Sequence, residues 1–141
     1  MAATNLNTVR ATIEARLKTE LANSPAIPVV FQNSSYIPTP NTSWCQCLLS
    51  FGNSTYESLG GASSSTNNIA GVVSINTFTP EGIGSGSNFT IAKRIRDLYN
   101  RIIVSGVSFD SPIGPQVLET SNPEGYFQTQ IRVTFNVFED L

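Results

Sequence analysis

Thr90-Ile91-Ala92-Lys93 places a hydroxyl three residues before an amine, the spacing of a nucleophile with a lysine base. On a helix the same spacing describes two neighbours on an exposed surface, and no partner group stands nearby in sequence to complete an acyl-transfer site. Cys45 and Cys47 supply half of a thiolate metal site, but the chain has only those two cysteines and no histidine. A tetrahedral site wants four such ligands. On a strand the pair shares one face as small hydrophobes, badly placed for a mutual disulfide. The run Glu81-Gly82-Ile83-Gly84-Ser85-Gly86-Ser87 leads into a helical pattern, where backbone N–H groups can hold an anion. It lacks the Lys-Ser/Thr of a P-loop and the spacing of a dinucleotide fingerprint, which leaves a strand-to-helix turn. The carboxylates Glu81, Asp97, Asp110, Glu119 and Glu124 are scattered, without the spacing of a hydrolytic pair. Without histidine the commonest general base is missing too. These residues point to a protein that is not an enzyme and takes no metal or cofactor.

Composition narrows the class further. The chain has 141 residues, the length of one domain (1–141), with 40% hydrophobic residues to build a core. Only 13% are charged, about half the usual share, and Ser, Thr and Asn stand in their place. Eight cations against ten anions exclude a strongly basic nucleic-acid binder. A neutral hydroxyl- and amide-rich surface has little like-charge repulsion and suits assembly into larger objects. The first residues, Met1 to Asn7, lack the cationic flank and apolar run of a secretory signal, and no apolar stretch is long enough to cross a membrane. The Asn-x-Ser/Thr triplets at Asn33, Asn41, Asn53 and Asn88 follow from composition.

The elements that must carry these residues are legible from periodicity. Leu6, Val9, Ile13, Leu17 and Leu21 make one stripe of a helix capped by Thr4 or Asn5 and ended before Pro25. Val29 to Phe31 is a short strand, and residues 32–43 form a connecting loop. Trp44 to Phe51 alternates, with Cys45, Cys47, Leu49 and Phe51 on the more apolar face. Residues 52–68 read as a long polar loop. Ile69 to Thr79 is a strand, with Val73 and Ile75 opposite Val72 and Phe78. Ser87 or Asn88 caps a second helix that runs to about Ile103, with Ile91, Ile95, Leu98 and Ile102 inward. Arg94, Arg96 and Arg101 form a solvated face on it. Val107 to Phe109 and Gln116 to Glu119 flank a Pro-Gly turn, and Tyr126 to Phe138 alternates between a core face and a wet one. The order αβββαββ predicts an α+β fold, a single mixed or antiparallel sheet with two helices packed on it. Trp44 and Tyr126 begin strands and serve either as core edge or as contact anchors.

The segment Ile75-Asn76-Thr77-Phe78-Thr79-Pro80-Glu81-Gly82-Ile83-Gly84, followed by Ile91-Ala92-Lys93-Arg94-Ile95-Arg96-Asp97-Leu98-Tyr99, resembles the tail terminators of long-tailed bacteriophages, the lambda-U-like group. The shared features are a strand ending in an aromatic-x-Pro-x-Gly turn and an I-A-x-x-I-R-x-x-aromatic helix. The resemblance implies a structural virion protein: a hexameric ring that caps the head-proximal end of the tail tube, stops tube polymerisation and joins the tail to the neck. The implied partners are other copies of the chain, the tail tube protein, a neck or connector protein, and sheath if the tail is contractile. DNA would only pass through the ring, and assembly would take place in the host cytoplasm, with no membrane involved. Another head-to-tail connector or a minor tail protein is the alternative. The family has no short site motif to carry over. The interface residues expected from the sequence are Trp44, Tyr56, Leu59, Glu81, Tyr126 and Arg132.

Overall fold

The computed structural model describes residues 5–23, 26–34, 37, 41–56, 66–118 and 125–140; for 53–56, 66 and 139–140 it describes the backbone alone. Helix α1 spans Leu6–Leu21, as its stripe predicts. Asn5 caps it, its Oδ1 accepting from the Asn7 and Thr8 amides at 2.9 and 3.3 Å. Val9, Ile13, Leu17 and Leu21 are buried. Strand β1 (Val29–Phe31) follows, then β2 (Trp44–Tyr56), β3 (Thr66–Pro80), α2 (Gly86–Leu98), β4 (Ile103–Val104), β5 (Val107–Phe109), β6 (Ile113–Leu118) and β7 (Tyr126–Asp140).

The class is α+β with a mixed sheet, as expected, but the order αβββαββ undercounts the strands. Among the described residues there are seven, ordered β1-β2-β3-β7-β5-β4, and β6 also pairs with β7. Only β1 and β2 run parallel. The undercount arises after α2, which ends at Leu98, not near Ile103: β4 is absent from the expected order, and the segments at Val107 to Phe109 and Gln116 to Glu119 are two separate strands. Tyr99 leaves the helix, and positive φ at Arg101 and Ser105 turns the chain into the short β4–β5 hairpin. Ile102 therefore packs on the core from outside the helix, and Arg101 is no part of a helical face.

The expected polar loop at residues 52–68 is also corrected at both ends. Strand β2 continues to Tyr56 across a bulge after Phe51, and β3 starts at Thr66; the middle of that loop lies outside the described residues. Polar residues enter these strands because backbone pairing carries them: β7 matches β3 without a slip from Pro80↔Tyr126 to Thr66↔Asp140. Periodicity of apolar side chains cannot report a ladder made of main-chain hydrogen bonds.

Both helices cover one face of the sheet. There Cys45, Cys47, Val73, Ile75, Ile131, Val133 and Phe135 meet the helical Ile13, Leu17, Ile91 and Ile95. Gly71 sits between Phe51 and Phe135 in the ladder, and a Cβ on it would come within 2.8 Å of Ser50 O and of the Phe135 ring. The missing side chain lets Phe135 fold over the strand and meet Phe51 edge to face, with centroids 5.8 Å apart.

Asn88 does not cap α2; it is fully buried in the first turn. Its Nδ2 donates to the carbonyls of Thr77 (3.1 Å) and Phe127 (3.0 Å) and to Thr79 Oγ1 (3.3 Å), while its Oδ1 accepts from Thr129 Oγ1 at 2.6 Å. Removing the amide leaves several buried partners unsatisfied, each worth roughly 1–3 kcal/mol. Asn88→Ala should therefore lower the unfolding free energy by about 2–3 kcal/mol in urea titration.

Candidate interaction surface

The side chains that could have formed a catalytic pair are each occupied elsewhere. Thr90 Oγ1 donates to Gly86 O at 2.9 Å within its own helix, and Lys93 forms an exposed i, i+4 ion pair with Asp97 at 2.6 Å. Cys45 and Cys47 are buried free thiols, both pushed up to about 12 chiefly by burial. The neighbouring Glu14 adds to the upward push on Cys47. Burial also raises the Tyr99 hydroxyl, which donates to Ile13 O at 2.7 Å. The described residues contain no cluster of three or more metal-ligating side chains, and no described helix is long and apolar enough to cross a membrane.

The arginines of α2 are braces and not an open basic patch. Arg94 donates to Glu20 O at 2.8 Å and lies 3.4 Å from the Glu20 carboxylate, tying α2 to the end of α1. Arg16 answers from α1 with a bond to Leu98 O at 3.0 Å. Arg96 reaches Pro112 O at 3.0 Å and Gly114 O at 2.5 Å, which holds the start of β6 against the helix. These roles are invisible in sequence because their acceptors are main-chain carbonyls on other elements.

The second face of the sheet carries no helix contacts and is almost free of charge. At one end Trp44 stacks on Phe78 with centroids 4.2 Å apart, and Tyr126 meets both edge-on. Val30 completes this small cluster. Beside it runs a row of amides: Asn76 donates to Gln46 at 3.3 Å and accepts from Gln128 and Gln130 at 3.1 and 3.2 Å. Further along, exposed Arg132 stands between Ser74 and the exposed Ile113.

The expected interface residues thus fall in different places. Trp44 is only 5% exposed, a core residue of the isolated chain. Tyr126, half-buried, shares a concavity of about 300 Å³ with Glu81, Gly82, Gly84, Ser85, Leu118 and Phe127. Arg132 is apart from both. Tyr56 belongs to the far end of β2, where only the backbone is described, and Leu59 lies outside the described residues. A larger concavity of about 670 Å³ opens between α1 and the β1–β2 edge, walled by Leu6, Phe31, Leu49 and the Arg10–Glu14 ion pair. It contains no nucleophile set against a base. What sequence reading missed is the sheet's perimeter: β1, β4 and β6 are edge strands, and none carries a charged residue.

The fold is an α+β sheet whose edge strands carry no charged residue. A family model described as phage tail terminator protein matches residues 8–135, and the chain belongs to that family of structural tail proteins. A solved structure superposes with a TM-score of 0.66 at 19% identity, over 98% of this chain and 96% of that one, which establishes the shared fold. No curated protein sequence matches the chain.

Two outcomes follow from the geometry. Because both thiols titrate higher when folded than when unfolded, burial stabilises the fold below about pH 9 and that contribution is lost as pH rises toward 12. A melting series across that window should show a falling midpoint, together with thiol alkylation that begins only on unfolding. Lys93→Ala and Ser85→Ala should shift the unfolding free energy by no more than about 0.5 kcal/mol, since the ion pair is exposed and Ser85 makes no side-chain cap bond.

Proposed function

We propose that copies of this chain close into a ring, expected to be hexameric, at the head-proximal end of the phage tail tube. Seated there, the ring stops tube polymerisation on one side and presents a joining surface to a neck or connector protein on the other. Sheath protein would be a further partner if the tail contracts. DNA passes through the central opening, and the ring assembles in the host cytoplasm before it becomes part of the virion. The work is done by binding alone, with no bond made or broken.

The observation that carries this reading, beyond family membership, is the uncharged perimeter. Natural sheets protect exposed edges with lysines, prolines or covering elements, because a row of unpaired backbone groups recruits another chain. Here β1 reads Val-Val-Phe and β4 Ile-Val, and in β6 Pro115 and the Arg96 guanidinium on Gly114 O blunt only the start of the strand. A heterologous contact repeated around a closing rotation turns such edges into a ring. Glu81, Tyr126, Arg132, Tyr56 and Leu59 would then be contact residues for the neighbouring proteins above and below.

Molecular mass in solution, measured with and without purified tail tubes, tests the proposal directly. The expected result is a ring with a central hole in electron micrographs and tubes of fixed length capped at one end. A chain that stays monomeric and leaves tube growth unchanged would overturn it.

A further inference from the structure

Which edges would meet in such a ring is encoded in the ladder itself. Reading straight across the sheet, one row is Val29↔Cys45↔Thr77↔Thr129↔Val117. The next row is Val30↔Gln46↔Asn76↔Gln130↔Gln116. The outer strands β1 and β6 therefore stand at the same height on opposite sides of the sheet. Their directions also follow from the pairings. β1 runs with β2, β3 runs against them, β7 runs with β2 again, and β6 runs against β7. So β1 and β6 are antiparallel to each other.

A closed ring permits rotation between neighbours but no rise along the axis; a rise gives an open helix. With the ring axis placed along the strands, which is part of the inference, rotation preserves both height and direction. It brings β1 of one copy beside β6 of the next, level and antiparallel, the more stable of the two pairings. The remaining edge, β4, fails on both counts. It runs in the same direction as β1, and its level is that of Val137, about 26 Å farther along β7 than Thr129 at roughly 3.3 Å per residue.

We infer that the subunit contact is an antiparallel pairing of Val29–Phe31 of one copy with Gln116–Leu118 of the next, Val29 opposite Val117 and Val30 opposite Gln116. This rests on the ring reading above and specifies its joint. Residue faces agree across the joint. Val29 and Val117 lie on the helix side, and Val30 and Gln116 on the amide side, so the seven-stranded sheet would run from subunit to subunit without a flip. Gln116 and Val117 are exposed in the single chain, and both strands are uncharged.

The test uses full-length protein assembled on tail tubes. Cys45 and Cys47 are 0% and 1% exposed, so introduced thiols are the reactive ones. The double variant Val29→Cys/Val117→Cys, treated with a short bismaleimide, should give a covalent ladder that ends at the ring's copy number. The control Val29→Cys/Ile103→Cys should give none. Val117→Lys, at an exposed position, should leave the melting temperature unchanged and abolish rings. Rings that form normally but cross-link through Ile103→Cys, or through neither pair, would overturn the β1–β6 joint while leaving the ring standing. Absence of rings from the unsubstituted protein would remove the ring reading, and this joint with it.

Discussion

One carboxamide decides where the second helix sits. Asn88 is spent entirely inward, bonding residues of β3 and β7 at once, so it fixes both the rotation and the height of α2 on the two longest strands. From that position the rest of the helix acts as a bracket. Arg94 and Tyr99 reach main-chain oxygens of α1, and Arg96 reaches those that lead into β6. Apolar packing supplies most of the stabilising free energy, but it is non-directional. The directional bonds select one arrangement among many that would bury similar area.

How much of this was legible depended on which groups carry the information. The α1 stripe and the strict alternation of β7 report side-chain burial: β7 emerges with its inward face as read, and α1 does so from Val9 to Leu21, whereas Leu6 is exposed and Glu14, paired with Arg10, is buried. The short parallel β1 survives because Pro28 and Asn33 punctuate it. The ends of β2 and β3 were hidden, since Asn67 and Asn68 join a strand through main-chain pairing with β7 while their side chains say loop. Asn88 looked like a cap because its residue type favours caps; only the long-range partners Thr77, Phe127 and Thr129 show otherwise. Of the expected contact residues, Glu81 and Tyr126 do come together at one end of the sheet, whereas Trp44 is consumed by stacking on Phe78. Contact residues lack a chemical signature of the kind a nucleophile and its base possess, so spacing cannot reveal them.

The scarcity of charge has a structural counterpart. Half of the eight cations are committed to internal work: Arg10 pairs with Glu14, Arg16 and Arg94 join the helices, and Arg96 holds the approach to β6. The helix-free face is left largely to amides and hydroxyls, with Arg132, and Asp110 bonded to Thr134, as charged side chains described there. In this chain the edge strands are left neutral while the bracing arginines sit behind them.

Strand β7 is flanked by β3 on one side and by β5 and β6 on the other, yet it is translated after every other described element. Until it emerges from the ribosome, the β2–β3 and β4–β5 hairpins each have a bare side, β6 has no partner, and Asn88 lacks two of its four partners. The nascent chain can nucleate its helices and two hairpins, but it cannot close its core. The sheet can therefore join its two halves only once β7 is present, so the strand made last of those described is the one that makes the core continuous.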